Sequence, residues 1–151
     1  MNSTNDTGVV AAPAPGQTNH PHRLGRLAVT GFIATLAAMV ATTLAAALAQ
    51  VGGADFEVPD SGETIPLPGI AVVTGFFSVV GTVIAVALLR WSARPAERFV
   101  WTAASLTAIS LIPPLVSGAN TATTTTLLGL HLVAAAVMIP TLARSLRSRT
   151  D

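Results

Sequence analysis

The sequence is poor in charge and contains no cysteine. Of its 151 residues, 8 are basic and 7 are acidic. This charged share of 10% compares with about 25% in a typical soluble domain. The shortage of charge excludes an ordinary soluble domain, a disordered chain and a nucleic-acid-binding protein. The absence of cysteine excludes disulfides, thiolate metal sites and thiol redox pairs.

The few charges leave three long stretches without any, residues 27–54, 64–89 and 99–143. A helix needs about 20 residues to cross the hydrocarbon core of a bilayer, so the third stretch is long enough for two crossings. It divides at the polar turn sequence Ser117-Gly118-Ala119-Asn120. In lipid each crossing must be helical, because unpaired backbone groups find no partner there. We therefore predict four transmembrane helices at about 27–50, 67–89, 99–116 and 123–143.

Small residues at helical spacing favour close packing of these spans, since membrane helices associate where backbones can approach. The first span offers Ala34, Ala38, Ala41, Ala45 and Ala49. The second offers Ala71, Gly75, Ser78, Thr82 and Ala85, and the third offers Ala104 and Ala108. With short links between successive spans, the predicted fold is all-α: an antiparallel bundle of four transmembrane helices.

The segments outside the spans are short. Residues 1–22 are rich in Pro, Gly, Asn and Thr without apolar periodicity, which predicts a disordered cytoplasmic tail. Residues 23–147 form the predicted transmembrane domain, and residues 148–151 form a second tail. A cleaved signal peptide ending near Ala49 is the alternative for the first span. The apolar run is longer than the ~7–15 residues usual in such a peptide, which favours a membrane span.

Arginines flank the predicted spans on one side only. They precede span one, separate spans two and three, and follow span four: Arg23, Arg26, Arg90, Arg94, Arg98, Arg144, Arg147 and Arg149. The other two connections, 51–66 and 117–122, contain no arginine. The positive-inside rule then predicts a multi-pass membrane protein with both termini in the cytoplasm. All eight basic residues are arginine and Ala, Thr and Val are abundant, which indicates a GC-rich bacterial genome and hence the bacterial cytoplasmic membrane. Trp91, Phe99 and Trp101 lie beside the middle arginines, as in an aromatic belt.

The connection 51–66 contains four carboxylates, Asp55, Glu57, Asp60 and Glu63. Ca²⁺ prefers such clustered oxygen ligands. The spacing D-x-E-x-x-D-x-x-E does not match that of an EF-hand, however, and an exposed acidic loop is usually only solvated. We therefore predict no metal site in this loop and no cofactor in the chain.

His131 is the only ionisable side chain inside a predicted span, which makes it a functional hypothesis by default. At 1.5 Å per residue it lies roughly 10–12 Å below the outer surface. The helix-breaking Pro113 and Pro114 fall at nearly the same depth. The same count brings hydroxyl side chains of the other helices to this level: Thr42, Thr43, Thr74 and Ser110. We therefore predict a polar layer to which all four helices contribute.

Two interpretations of this layer stay open. In the structural one, His131 donates to a carbonyl freed near Ile109 and Ser110, or to a threonine hydroxyl, and holds helices together. In the functional one, His131 binds a small ligand, a lipid headgroup or a proton. A single proline, Pro140, is predicted to shape the helix terminus before Arg144.

The residue patterns of known enzyme classes are missing from the sequence. No span contains paired carboxylates, and there is no HExxH motif and no glycine-rich phosphate loop. A serine and a histidine without an acid or oxyanion motif form a very weak nucleophile signal. We therefore predict that the chain is not an enzyme.

Three segments of the last two spans carry a family resemblance. They are Arg98-Phe-Val-Trp101, Ser110-Leu-Ile-Pro-Pro-Leu115 and Leu127-Leu-Gly-Leu-His-Leu-Val-Ala-Ala-Ala-Val-Met-Ile-Pro140. Together they resemble an actinobacterial family of four-helix membrane proteins of unknown function, over residues 24–147. The resemblance implies the architecture and adds no mechanism.

We predict an integral membrane protein with a structural or partner-binding role. Its expected partners are the lipid bilayer and either further copies of itself or another membrane protein, and no nucleic acid. The alternative is a module responsive to a small ligand or protons, or a transport accessory, that uses the polar layer around His131.

Overall fold

In a computed structural model, the chain is described over residues 20–54, 56 and 62–149. The regular structure of this part is helical: α1 His20–Val51, α2 Leu67–Trp91, α3 Pro95–Ser110, α4 Ile112–Val116 and α5 Thr121–Arg147. Most of the predicted tail 1–22, and the last residues of the tail 148–151, lie outside the described residues.

Four helical segments are long and apolar enough to cross a membrane, and each contains one predicted span. They are His22–Val51, Leu67–Trp91, Pro95–Val116 and Thr121–Arg147. The prediction of four apolar helices is therefore confirmed. α1 begins at His20, so residues 20–22, which the sequence assigned to the tail, are helical. Pro21 is compatible with this start, because the first turn of a helix does not use its missing N–H.

α1 and α3 lie at opposite corners of the helix bundle. α1 packs against α2 and α5, and α3 packs against the same two helices. Within the described residues no contact joins α1 to α3, whereas α2 and α5 touch each other. α2 and α5 therefore form the short diagonal of the bundle, and both outer helices depend on them for packing.

The most extensive interface joins α1 and α2, and glycines set its spacing. A Cβ atom at Gly31 would lie 2.7 Å from Oγ1 of Thr82, and one at Gly75 would lie 2.9 Å from Sδ of Met39. These distances are too short for real Cβ contacts, so the backbones approach as closely as glycine allows. Gly31 of α1 therefore lies against Thr82 of α2, and Met39, further along α1, lies against the earlier α2 residue Gly75.

The small residues predicted to pack between helices are only partly the residues that are buried. Gly75, Ser78 and Ala85 of α2 are buried. On α1 the buried row advances by four residues, through Ala34, Ala38, Thr42 and Ala46. The predicted row instead stepped by three residues to Ala41, and its members Ala41, Ala45 and Ala49 are only half-buried.

Two apolar clusters fill the interior. One lies near the arginine-bearing helix ends and contains Phe99 and Leu142. The other contains Leu130 and Phe56, which comes from the connection after α1. Phe56 is fully buried although its φ angle is 48°, a conformation that bulky residues rarely adopt. Its carbonyl accepts a hydrogen bond from the Ile65 N–H at 3.1 Å, and Ile65 packs against the same apolar cluster.

The outer surface of the spans is apolar and exposed. In the apolar 18-residue stretch of each of the four segments, only 28, 17, 11 and 22% of the residues, in chain order, are buried inside the bundle. Phe76 and Phe77 of α2, for example, point outward with their rings in edge-to-face contact. Removing apolar surface from water is favourable by roughly 25 cal/mol per Å². This surface is therefore suited to lipid.

The third span is interrupted near its end. α3 ends at Ser110, Leu111 forms a turn, and α4 follows from Ile112. Pro113 and Pro114 explain the break, because neither has an N–H to bond the carbonyl four residues earlier. The Leu111 N–H lies 3.2 Å from the Thr107 carbonyl and 3.3 Å from that of Ala108, which tightens the last turn of α3.

Pro140 has no comparable effect. It lies inside α5, which continues to Arg147. The prediction that Pro140 shapes the helix terminus was therefore wrong. A single proline removes only one backbone hydrogen bond, and membrane helices tolerate such a loss because neighbouring groups compensate for it.

Candidate functional site

His131 lies in the middle of α5 and is half-buried. Its Nδ1 atom lies 2.8 Å from the carbonyl oxygen of Leu127, four residues earlier in the same helix. Since a carbonyl only accepts, Nδ1 must bear the hydrogen, and Nε2 of the neutral ring is then an acceptor. Within the described part of the chain, Nε2 has no hydrogen-bond partner. The backbone contact thus orients the ring and leaves its second nitrogen for another group.

Thr42 and Thr74 form a polar contact between α1 and α2. Their hydroxyl oxygens lie 3.2 Å apart, so one hydroxyl donates to the other across the interface. The Thr42 hydroxyl also lies 2.8 Å from the carbonyl of Ala38 in its own helix. Thr43, the next residue, is half-buried and does not belong to this pair.

The helix break supplies the remaining members of the predicted layer. The Ser110 hydroxyl donates to the Thr107 carbonyl at 2.8 Å, within α3. Pro114 is buried and Pro113 is exposed. The hydroxyl therefore satisfies a backbone group of its own helix at the end of α3.

The structure brings two of the predicted layer residues together, Thr42 and Thr74. His131 and Ser110 each bond to a carbonyl of their own helix, as polar side chains in membrane helices often do. The bond of the structural interpretation, from His131 to a carbonyl near Ile109, is not formed among the described residues. A layer shared by all four helices stays a prediction.

One buried polar residue, Thr123 near the start of α5, was not predicted from the sequence. Thr123 is 2% exposed, and its hydroxyl has no hydrogen-bond partner within the described residues. Its backbone N–H donates to the Asn120 side chain at 2.8 Å, which caps α5. Asparagine three residues before an amide is a recognisable cap signal, but nothing in the sequence indicates that the threonine is buried.

The first and last helices meet at their arginine-bearing ends. Arg23 Nη1 donates to the Arg149 carbonyl at 2.8 Å, and Arg149 Nη1 donates to the Arg23 carbonyl at 2.9 Å. Arg149 also contacts Ser145 Oγ through Nη2 at 2.9 Å. Partial burial, and then the nearby charges of Arg26 and Arg23, lower the pKa of Arg149. Arginine nevertheless stays charged at physiological pH, so this end concentrates positive charge.

Glu63 is the one carboxylate of the acidic connection that the structure describes. Asp55, Glu57 and Asp60 lie outside the described residues, and Glu63 is exposed. Among the described residues, no group of three or more His, Asp or Glu side chains is arranged to hold a metal ion. The prediction for the acidic loop therefore stays a prediction.

Comparison with known protein families identifies a match over most of the chain. Over residues 22–148, nearly the range of the resemblance seen in the sequence, the chain matches a family of unknown function, DUF6069. Neither the curated proteins nor the solved structures contain a match. The family match includes α2 to α5 and all of α1 except its first two residues. It contains the predicted polar-layer residues, whereas Arg149 lies just beyond its end. The chain therefore belongs to the DUF6069 family of proteins of unknown function.

Proposed function

We propose that this chain is a multi-pass integral protein of the bacterial cytoplasmic membrane, in an actinobacterial host. The proposal rests on one observation, the exposed apolar outer face of all four long helical segments. Side chains such as Phe32, Val72 and Leu132 are more than half exposed. They reach apolar surroundings only when lipid covers the bundle.

We further propose that the helices are antiparallel and that both termini lie in the cytoplasm. The pairs Gly31 with Thr82 and Thr42 with Thr74 support opposite directions for α1 and α2. The Arg23–Arg149 contact supports a common end for the start of α1 and the end of α5. All arginines then lie on one side, which the positive-inside rule assigns to the cytoplasm.

Reporter fusions test the membrane proposal. Alkaline phosphatase fused after Glu57 should be active, because the enzyme folds only outside the cytoplasm, and a fusion after Arg94 should be inactive. The full-length protein should remain in the membrane fraction after an alkaline wash. The reverse pattern of reporter activity, or release by the wash, would contradict the proposal.

Within the membrane, we propose a structural or partner-binding role without enzymatic activity. The third span supports this role, since only 11% of its apolar 18-residue stretch is buried, the smallest share among the four spans. Its exposed face includes Ala104, Ser105 and Ala108. Small residues on an outward face allow another helix to approach closely. The occupant of this face is either a second copy of the chain or another membrane protein.

Cysteine cross-linking distinguishes these occupants, because the chain has no cysteine of its own. A homo-oligomer through α3 predicts a disulfide-linked dimer of Ala108→Cys in oxidised membranes. Val79→Cys, at an exposed position of α2, is the control and should stay monomeric. Equal cross-linking of both variants would indicate random collision and contradict a specific α3 interface.

The second candidate function is a module that responds to a small ligand or to protons, centred on His131. It is favoured by one observation: the Leu127 bond orients the ring while Nε2 has no partner among the described residues. Native mass spectrometry of the detergent-released protein tests it. A bound small molecule should be lost in His131→Ala and kept in His22→Ala, a histidine at an exposed position. Wild-type protein without any bound molecule would contradict a stable ligand site.

A further inference from the structure

A cleft of about 370 Å³ opens at the arginine-bearing end of the bundle. It lies where the link between α2 and α3, the start of α3 and the end of α5 meet. Its walls include the charged side chains of Arg94, Arg147 and Glu97, together with Val100 and Trp101. At the sequence level these arginines served only as topology markers, and their shared cleft was not predicted.

We propose that this cleft binds the headgroup of an anionic phospholipid. Two arginines from separate parts of the fold, Arg94 before α3 and Arg147 at the end of α5, line the same space. The planar guanidinium offers paired N–H donors whose geometry matches phosphate oxygens. The inference rests on the proposed membrane function, since only a bilayer supplies this ligand.

The start of α3 adds a second attraction for an anion. Its cap residue Arg94 makes no side-chain cap hydrogen bond, and Pro95 occupies the first turn. The first-turn N–H groups of a helix have no partner within the helix, and the helix dipole adds partial positive charge there. Ala96 and Glu97, from this turn, line the cleft, so the positive end of the helix borders it.

The position of the cleft favours a lipid over a free anion. Trp101 is 71% exposed, and Trp91 at the end of α2 is 77% exposed, as expected for side chains at headgroup level. Val100 gives the cleft an apolar wall on the side of the span. A phosphate with an attached apolar chain fits both surfaces, and basic pockets between membrane helices commonly take acidic headgroups.

Glu97 is the one side chain of the cleft that opposes an anion. Its carboxylate lies 3.6 Å from Arg94, with the two side chains 59% and 79% exposed. An exposed ion pair of this kind contributes little to stability. A phosphate group can therefore replace Glu97 as the partner of Arg94, and removal of the Glu97 charge should strengthen binding.

Quenching of Trp101 fluorescence by brominated lipid tests the proposal. The chain has two tryptophans, so Trp91→Phe leaves only the one that lines the cleft. In this background, brominated phosphatidylglycerol in phosphatidylcholine vesicles should quench more strongly than brominated phosphatidylcholine. Arg94→Gln and Arg147→Gln should each weaken the preference for the anionic lipid by about fivefold. Glu97→Gln should increase it.

The matched controls are Arg98→Gln and Arg144→Gln, exposed arginines next to the same helix ends but outside the cleft. They change net charge equally and should alter the preference less than twofold. An equal loss in the controls, or no preference in the wild-type cleft, would overturn the proposal. Loss of the preference for anionic lipid when inorganic phosphate is added at constant ionic strength would also overturn the proposal, since the ligand would then be a free anion.

Flotation of the vesicles separates this inference from the membrane proposal. Protein that floats with the vesicles after an alkaline wash but shows no lipid preference overturns the cleft alone. Protein that fails to float overturns the membrane proposal, and the cleft with it.

Discussion

The α1–α2 pair and the third span contain similar small residues but pack differently. α1 is an uninterrupted helix, and glycines bring it into close contact with α2. The third span is broken at Leu111, does not touch α1, and leaves Ala104 and Ala108 exposed. The difference shows that small residues permit another helix to pack closely, but they do not determine which helix does so. The α1–α2 pair is the internal support of the bundle, and α3 presents surface to its surroundings.

The largest expected effect comes from enlarging an alanine in each region. Ala38 of α1 is fully buried, so Ala38→Leu should lower the free energy of unfolding in detergent micelles by up to about 3 kcal/mol. Ala108→Leu on the exposed face of α3 should change it by less than about 0.5 kcal/mol. Similar losses for both variants would show that α3 is packed as tightly as α1.

An intermediate effect is expected at the closest approach of α1 and α2. Gly31→Ala forces a methyl group against Thr82 and should cost about 1–2 kcal/mol in the same unfolding assay. Gly81→Ala is the matched control, since a Cβ there meets nothing within 4 Å. The control should be neutral or raise stability by up to about 1 kcal/mol, because alanine favours helix over glycine. A neutral Gly31→Ala would place the two helices further apart than described.

The smallest effect concerns the hydroxyl contact between α1 and α2. Thr42→Val removes its bond to Thr74 while keeping the shape of the side chain, and should cost about 0.6 kcal/mol. Thr107→Val removes a hydroxyl that bonds only within α3 and should be nearly neutral. Equal losses of stability in the two variants would mean that the hydrogen bond between Thr42 and Thr74 adds nothing beyond the bond that a hydroxyl makes within its own helix.

Much of the fold could be predicted from the sequence, because charge is excluded from lipid and long apolar runs must be helical there. The break near Pro113 and Pro114 followed from their missing N–H groups. Which face of α1 is buried was less predictable, since Ala41 and Thr42 differ by one position and the packing of α2 and α5 decides between them. Sequence reasoning also could not fix the rotamer of His131, which sets its hydrogen-bond partner.

The cleft near Trp101 shows a different limit. Arg94 and Arg147 are far apart in the sequence and have an adequate explanation as topology signals. Only the packing of α3 against α5 brings them to one cavity. Clustering of this kind depends on long-range contacts, which residue spacing does not encode.

The topology of the bundle is tested most directly by labelling single cysteines in the cysteine-free chain. Thr64→Cys and Ala93→Cys place a thiol at exposed positions in two successive connections. A membrane-impermeant maleimide added to intact bacterial spheroplasts should label Thr64→Cys, and should label Ala93→Cys only after permeabilisation. Labelling of Ala93→Cys and protection of Thr64→Cys in intact spheroplasts would contradict a bundle whose arginines face the cytoplasm.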